Sequence, residues 1–200
     1  MKNCLLVMCF VSFSILPGYA QGEGSLKGEF FLAPDFGLML GTINRIEFSP
    51  VLGYNITDRF CIAAGFKYEY YSKTRLYNYQ EPFKTHIYGP RAFVRYTLFK
   101  NLNDFLPISM NTGLFAHLES ESSSLERKLF DYPSFPENGR FWYSTVLVGG
   151  GISQYASERI MLNVMVLWDT DGGYTSLYSN PIIRFGFQFY FRPETEDSNW

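Results

Sequence analysis

Apolar and polar residues alternate with a period of two along most of the chain, and Gly, Asn, Asp, Ser and Pro separate the alternating stretches. This pattern, bounded by turn residues, predicts β-strands. Eight stretches can be delimited, at residues 28–41, 46–56, 60–71, 86–98, 107–119, 140–153, 160–169 and 181–191. An even number of antiparallel strands can close into a barrel with both chain ends on one side. The pattern therefore predicts an all-β protein, an eight-stranded antiparallel β-barrel.

The final stretch shows which face of the barrel is apolar. One of its faces carries bulky apolar side chains only, namely Ile183, Phe185, Phe187, Phe189 and Phe191. The other face carries Arg184 and Gln188, and the stretches 60–71, 86–98 and 160–169 repeat this separation. A soluble binding barrel in the periplasm, which is the alternative, would have a polar outside and an apolar lumen. An apolar outside around a polar lumen instead predicts a barrel that spans a membrane.

The connections between stretches alternate in length, which orients the barrel. They are short at 57–59, 99–106 and 154–159 and long at 72–85, 120–139 and 170–180, while 42–45 is a short exception on the long side. Transmembrane barrels have short periplasmic turns and long external loops. With that polarity, aromatic residues form two belts about 25 Å apart, as two membrane interfaces would select. The outer belt comprises Tyr70, Tyr88, Trp142 and Trp168, and the inner belt comprises Tyr54, Phe60, Tyr96, Phe189 and Phe191.

The two ends of the chain differ in character from the barrel. A basic Lys2, an apolar run of 12 residues from Leu5 to Leu16, and Ala20 after Pro17-Gly18 predict a signal peptide over residues 1–20. The run is too short for a membrane helix, which needs roughly 20 residues. The barrel domain is then 21–191, and Pro193 begins a short acidic tail within 192–200. We therefore expect Sec-type export to the periplasm and residence in the outer membrane.

The composition and charge of the chain exclude several kinds of bond and binding site. Cleavage would leave Cys61 as the single thiol, which excludes an intramolecular disulfide and a cysteine-based metal site. The formal charge of −2 becomes −3 on loss of Lys2, the one charged residue among the first 20, and nothing suggests binding to nucleic acid. Phe, Tyr and Trp together supply 38 of 200 residues, a set that a protein core could bury or a lipid-facing surface could display.

Several segments carry a family resemblance. These are Phe48–Tyr54 followed by Thr57-Asp58-Arg59, then Tyr88–Tyr96, Leu147–Gly151 and Pro181–Phe191. In them the chain resembles the small outer-membrane barrels of the OmpX and OmpW type, and more closely the barrel proteins common in Bacteroidetes. The resemblance implies partners in outer-membrane lipid and lipopolysaccharide. It also implies recognition of a terminal aromatic residue, here Phe191, by the barrel assembly machinery, although this chain continues to Trp200.

The predicted lumen face collects charges of both signs. These nine residues are Asp35, Glu47, Lys67, Glu69, Arg91, Arg95, Glu119, Asp169 and Arg184. Eight strands leave a lumen just wide enough for side chains, so we expect these charges to pair across it and plug it. A gated ion path or a binding site is the functional alternative.

Candidate catalytic and metal-binding residues are few. His117, Glu119 and Ser120 invite comparison with lipid A deacylases, but alternation places Ser120 on the face opposite His117, and the His-x-Ser spacing is absent. His86 and His117 could supply two metal ligands, whereas a stable site needs a third or fourth. Gly149-Gly150-Gly151 lacks a following Lys and is interpreted as curvature of the wall. We expect no catalytic residue, metal or cofactor.

The long loops are the remaining candidates for specificity. Loop 72–85 contains both basic and aromatic residues, namely Lys73, Arg75, Tyr77, Tyr79, Phe83 and Lys84. These side chains could contact lipopolysaccharide phosphates or a partner surface, or they could simply be solvated. Loop 120–139, with Ser122–Ser124, is expected to be flexible and exposed. The sequence thus favours a non-enzymatic outer-membrane barrel with a structural, adhesive or surface-interaction role. A passive channel or carrier for a small or hydrophobic solute is the alternative, and a lipid-modifying enzyme lacks a convincing triad.

Overall fold

A computed structural model describes residues 25–39, 43–73, 83–102, 112–127, 139–171, 178 and 180–191 of the protein. Its strands are β1 Phe30–Met39, β2 Ile43–Asn55, β3 Phe60–Lys73, β4 Phe83–Phe99, β5 Thr112–Glu126, β6 Arg140–Ser157, β7 Ile160–Asp169 and β8 Ile182–Tyr190. Each strand pairs antiparallel with the next, and β1 pairs with β8 to close the barrel. The predicted all-β, eight-stranded antiparallel barrel is confirmed. Within the described ranges, no helix is long and apolar enough to cross a membrane.

The fifth strand differs most from its prediction. It was expected over 107–119, but β5 runs from Thr112 to Glu126, and the range 107–111 lies outside the described residues. Ser122–Ser124 therefore belong to a strand and not to an exposed loop, and Ser123 and Ser124 are buried. The ladder to β6 continues through these serines as far as Glu126 opposite Arg140, so cross-strand pairing outweighs the weak β-propensity of Ser.

Two of the three connections at the inner end of the barrel are short, 56–59 between β2 and β3 and 158–159 between β6 and β7. The third, predicted as a short link over 99–106, is longer, because β4 ends at Phe99 and β5 begins only at Thr112. In the turn between β2 and β3, the Thr57 hydroxyl accepts hydrogen bonds from the backbone N–H groups of Phe60 (2.9 Å) and Arg59 (3.2 Å). The Asp58 carboxylate of the same turn accepts a 2.6 Å hydrogen bond from the Ser25 hydroxyl. It also accepts from the backbone N–H of Leu26 at 3.0 Å. The segment before β1 is thereby fastened across the inner mouth.

The outer surface of the barrel is apolar and the lumen is polar. On β8, Phe185 is 53% exposed, whereas the adjacent Arg184 is 5% exposed. The same inversion occurs on β4, where Tyr96 is 46% exposed beside Arg95 at 7%. Water-soluble proteins place charges outside and aromatic residues inside. The surface is thus arranged as in a transmembrane barrel, which presents an apolar band to lipid.

An apolar cluster closes the inner end of the lumen, a feature that the sequence pattern did not predict. Its buried members are Phe31, Ala33, Val51, Cys61, Ala63, Phe93, Met161 and Tyr190, with Leu26 and Tyr155 packed against them. Phe31 fits because Gly53 of β2 has no side chain: a Cβ there would lie 2.0 Å from Cζ of the Phe31 ring. The lumen is therefore apolar at its inner mouth, whereas its charged side chains lie further out, beside two smaller apolar clusters that contain Phe115, Leu147, Met165 and Leu167, and Ile87 and Leu125.

The three successive glycines of β6 allow close approach of β7. A Cβ on Gly149 would lie 2.0 Å from the carbonyl oxygen of Val166, and one on Gly151 would lie 2.2 Å from that of Val164. Neither distance is compatible with a side chain. Glycine is thus required at these two positions by packing within the wall, while the interpretation of the three glycines as curvature of the wall stays a prediction.

Candidate functional site: the charged lumen

The structure places all nine predicted lumen residues on the inward face of the barrel. Eight of the side chains are buried, and Glu47 keeps 14% of its side-chain surface exposed. Successive side chains of a strand point to opposite faces, and each of these residues is an even number of positions away from neighbours that face inward. Most of them are brought into one network, while Arg95 and Asp169 lie apart from it.

Glu119 of β5 is the centre of the network. Its Oε1 accepts from Nη1 of Arg184 at 2.6 Å, and its Oε2 accepts from Nη2 of Arg91 at 2.7 Å. Nε2 of His117 lies 2.9 Å from the same Oε2. Nη2 of Arg91 also lies 2.7 Å from Oδ2 of Asp35 on β1. One buried carboxylate thus joins β4, β5 and β8, and the guanidinium of Arg91 extends the connection to β1.

Glu121, two residues further along β5, forms a second centre. Its Oε1 accepts from Nη2 of Arg184 at 2.6 Å, and Nζ of Lys67 donates to its Oε2 at 3.0 Å. The Tyr178 hydroxyl, from the connection between β7 and β8, hydrogen-bonds to both Glu121 and Lys67. Burial, and next the Glu121 charge, raise the pKa of the Tyr178 phenol above its ordinary value. An external connection therefore contributes a side chain to the lumen network.

The outer end of the network is a bidentate ion pair between Arg45 and Glu69. Nε and Nη2 of Arg45 donate to the two oxygens of Glu69 at 2.6 and 3.0 Å. Nζ of Lys67 lies 3.5 Å from Glu69 and 3.9 Å from Glu47. The guanidinium carbon of Arg45 also lies 5.6 Å from the ring centroid of Tyr178. Paired planar contacts of this kind hold a guanidinium in a fixed orientation.

Three members of the network, Arg45, Glu121 and Tyr178, were not predicted. Arg45 and Glu121 were assigned to the connections 42–45 and 120–139, whereas both lie in strands. A signal for Glu121 was present, because Glu119, Glu121 and Leu125 continue the alternation beyond residue 119. No periodicity could identify Tyr178, since it enters the lumen from outside the strands.

Asp169 and Arg95 have different surroundings. Asp169 lies at the outer end of β7, where its carboxylate accepts hydrogen bonds from the Thr145 hydroxyl and, at 3.0 Å, from the backbone N–H of Asp171. Arg95, in the inner half of β4, donates from Nη1 to Oε1 of Gln188 at 3.1 Å. Its guanidinium carbon lies 4.2 Å from the ring centroid of Phe115. Asp169 thus anchors the outer end of a strand, whereas Arg95 is held by an amide and an aromatic ring.

The residues compared with a deacylase triad are divided by the barrel wall. His117 and Glu119 face the lumen and are in contact, but Ser120 is exposed on the outer surface. His86 is also exposed outside, where Nδ1 lies 2.7 Å from the Tyr68 hydroxyl, so it cannot share a ligand with His117. Among the described residues there is no group of three His, Cys, Asp or Glu side chains that could hold a metal ion.

The nine residues assigned to aromatic belts all lie on the outward face. Phe60, Tyr70 and Phe189 are partly exposed, and the others, Tyr54, Tyr88, Tyr96, Trp142, Trp168 and Phe191, are exposed. Tyr88 contacts Trp142 edge to face with centroids 6.5 Å apart. Tyr88 and Tyr96 are eight residues apart on β4, which corresponds to roughly 20 Å along the barrel axis for a strand tilted by about 40°.

The residues proposed for external contacts are only partly described. Lys73 ends β3, and Phe83 and Lys84 begin β4, so these three are strand residues and not members of a loop. Arg75, Tyr77 and Tyr79 lie outside the described residues, as do the signal peptide over 1–20 and the tail over 192–200.

Comparison with known proteins gives structural matches only. No family model matches the chain, and no curated protein matches it either. The N-terminal β-barrel domain of OprF from Pseudomonas aeruginosa matches with a TM-score of 0.49 and 10% identity, over 84% of this chain and 100% of that chain. The outer membrane protein Ail of Yersinia pestis, in a phospholipid bilayer nanodisc, matches with a TM-score of 0.48 and 9% identity, over 82% of this chain and 100% of that chain. The functional argument therefore depends on the topology and surface of this barrel itself.

Proposed function

We propose that the protein is a non-enzymatic outer-membrane barrel with a closed lumen, and that it serves envelope structure, adhesion or surface interaction. The observation that carries this proposal is the inverted polarity of the barrel: an apolar, aromatic outer surface surrounds a lumen filled by paired charges. Export by the Sec route, directed by residues 1–20, belongs to the same proposal.

The outer surface supports residence in a membrane. Exposed side chains such as Phe36 at 54%, Leu52 at 53% and Trp142 at 60% would be unfavourable in water, at about 25 cal/mol per Å² of apolar area. Lipid removes that cost. Closure of the sheet also leaves no strand edge, which is the second requirement for strands in hydrocarbon.

The lumen supports a closed barrel. In its outer and middle parts, Arg91, Arg184 and Lys67 each contact at least two carboxylates, so the chain itself occupies the space and neutralises the charge. At the inner mouth, Phe31 and Tyr190 are buried with ring centroids 5.9 Å apart. Passive transport of a small solute is the second candidate, and the partly exposed Glu47 favours it, but transport would require both regions to open.

The external partners are also part of the proposal. Phe191 follows β8, is 59% exposed, and donates its backbone N–H to the carbonyl of Phe30 at 3.1 Å. It is thus suitably placed as the terminal aromatic residue that the barrel assembly machinery reads. Lys84 is exposed at the outer end of β4, and its ammonium would be available there to lipopolysaccharide phosphates.

The test combines fractionation, gel mobility and conductance. Expression of the full chain should place the protein in the outer-membrane fraction, where the unheated protein should migrate differently from the boiled protein. Refolded protein in planar bilayers should not conduct. Steady conductance would replace the closed barrel with the transport function, and a soluble periplasmic protein without a mobility shift would refute membrane residence.

A further inference from the structure

The outward face of the barrel carries a tyrosine and a histidine in direct contact, near the outer ends of β3 and β4. The Tyr68 hydroxyl lies 2.7 Å from Nδ1 of His86, and the two rings are stacked with centroids 5.8 Å apart. Both residues are exposed on the surface. Among the described tyrosines, Tyr68 is the one whose hydroxyl is within hydrogen-bond distance of an imidazole. Neither group takes part in the lumen network.

The position of the imidazole is fixed by its surroundings. The strands β3 and β4 pair in continuous register over the whole length of β3, so both side chains are carried by rigid backbone. Nη2 of Arg140 donates to the backbone carbonyl of His86 at 2.5 Å. The ring of Tyr70 contacts the imidazole from the other side, with centroids 5.6 Å apart. The structure therefore keeps His86 beside the phenol of Tyr68.

A phenol paired in this way is an oxygen ligand with its own base. With the ring hydrogen on Nε2, Nδ1 of His86 accepts from the phenol and is placed to take its proton. A bare metal ion would need further ligands, and the described residues contain no group of three His, Cys, Asp or Glu side chains that could hold one. A porphyrin supplies the equatorial nitrogen ligands itself, and a single tyrosine holds the haem iron of catalase.

The neighbouring surface fits a flat apolar ligand with an acidic edge. Phe66 is 48% exposed, and its ring is stacked on that of Tyr88 with centroids 6.4 Å apart. Trp142, which is 60% exposed, contacts Tyr88 edge to face and extends this aromatic surface. Rings of this kind stack on a flat aromatic ligand. Lys84 is exposed two residues beyond His86 on the same face, towards the outer end of β4, where it can pair with carboxylates.

We propose that Tyr68 and His86 bind ferric haem on the outer surface of the barrel, with the Tyr68 oxygen as the axial ligand of the iron. On binding, the phenolic O–H bond breaks and an iron–oxygen bond forms. The proton passes to Nδ1 of His86, the water held by the iron leaves to solvent, and the iron stays ferric. The porphyrin lies along the wall over the aromatic surface, and its carboxylates point towards Lys84. This binding goes beyond the closed-barrel role and does not require an open lumen.

The test is a titration of the refolded full chain in lipid vesicles with ferric protoporphyrin, followed by visible absorption. A ferric–phenolate charge-transfer band should appear, and protein-free vesicles, which measure uptake by lipid alone, should lack it. Tyr68→Phe should lose the band, whereas Tyr96→Phe, which removes the hydroxyl of another exposed tyrosine on the same face, should retain it. His86→Phe should keep the band but weaken the affinity about 10- to 100-fold, because it removes the partner of the ligand.

Two controls separate haem binding from folding and from simple stacking. Each variant is first shown to be a folded barrel by its gel mobility without heating, so that a folding failure is not mistaken for a loss of binding. Metal-free protoporphyrin should bind more weakly than the ferric form, because it offers no iron to Tyr68. Equal binding of the two porphyrins, an unchanged spectrum in Tyr68→Phe, or a spectrum identical to that of protein-free vesicles would overturn the proposal.

Discussion

Replacement of Glu119 by Gln tests whether the lumen network stabilises the barrel. The substitution keeps the shape of the side chain and removes its charge from three contacts, with Arg184 at 2.6 Å, Arg91 at 2.7 Å and His117 at 2.9 Å. Because all these groups are buried, water cannot replace the lost charge. We expect Glu119→Gln to destabilise the folded barrel strongly.

The magnitude follows from what remains around each arginine. Removal of one partner from a buried ion pair costs about 3–5 kcal/mol. Arg184 keeps Glu121 at 2.6 Å and Arg91 keeps Asp35 at 2.7 Å, so the cost should fall at the lower end, about 3 kcal/mol. That free energy corresponds to roughly a 150-fold change in the folding equilibrium. With a urea slope of about 2 kcal/mol/M, the unfolding midpoint should fall by about 1.5 M.

The assay is urea unfolding of the refolded barrel in vesicles, followed by gel mobility without heating. Lys100→Met is the matched control, because the 3.9 Å pair between Lys100 and Asp58 is exposed and should contribute little to stability. In the double variant Glu119→Gln/Arg184→Met, we expect a loss smaller than the sum of the two single losses. A Glu119→Gln midpoint no lower than that of Lys100→Met would refute the idea that the paired charges hold the lumen together.

Four other substitutions test three separate parts of the structure by the same unfolding assay. Tyr178→Phe removes a hydroxyl bonded within the network and should cost about 1–3 kcal/mol, and an unchanged midpoint would show that this connection does not help seal the lumen. Phe187→Arg, in the middle of the lipid-facing surface, should cost about 2–4 kcal/mol, whereas Phe191→Arg at the rim should cost about 0–1 kcal/mol; equal costs would contradict the proposed depth in the membrane. The hydrogen bond from Ser25, followed by those from the neighbouring backbone, lowers the pKa of the Asp58 carboxyl. The ionised Asp58 carboxylate therefore stabilises the fold at pH values above the ordinary carboxyl pKa, and this stabilisation is lost as pH falls through the lowered pKa. Asp58→Asn should therefore flatten the loss of stability below about pH 4, and an unaltered pH profile would exclude this contribution.

Alternation of side chains made most of the barrel predictable. A strand with Phe185 and Phe187 on one side and Arg184 and Gln188 on the other has a single favourable orientation in a membrane, since a shift of one residue would place the arginine in lipid. The inward orientation of the nine predicted charges follows from the same constraint. Where alternation weakened at Ser122–Ser124, the predicted end of β5 was wrong by seven residues, from 119 to 126.

Features that depend on contacts between distant segments could not be predicted. Tyr178 reaches Lys67, 111 positions away in sequence, and no local pattern reports such a contact. The apolar inner mouth was also missed, because Phe31 and Tyr190 occur at strand ends, where an inward aromatic residue has the same sequence pattern as one in an interfacial belt. Only the closure of β1 on β8, which pairs these two residues, distinguishes the cases.

The two regions of the lumen should respond differently to solution conditions. The inner mouth is closed by apolar packing around Phe31, which salt does not weaken. The outer part is closed by ion pairs, of which Arg45 with Glu69 lies nearest the solvent and keeps 17% of the Arg45 side chain exposed. Ion pairs that water can reach are screened by salt, whereas those around Glu119 are not. High salt should therefore loosen the outer end of the network first, while the inner end keeps the barrel closed to solutes.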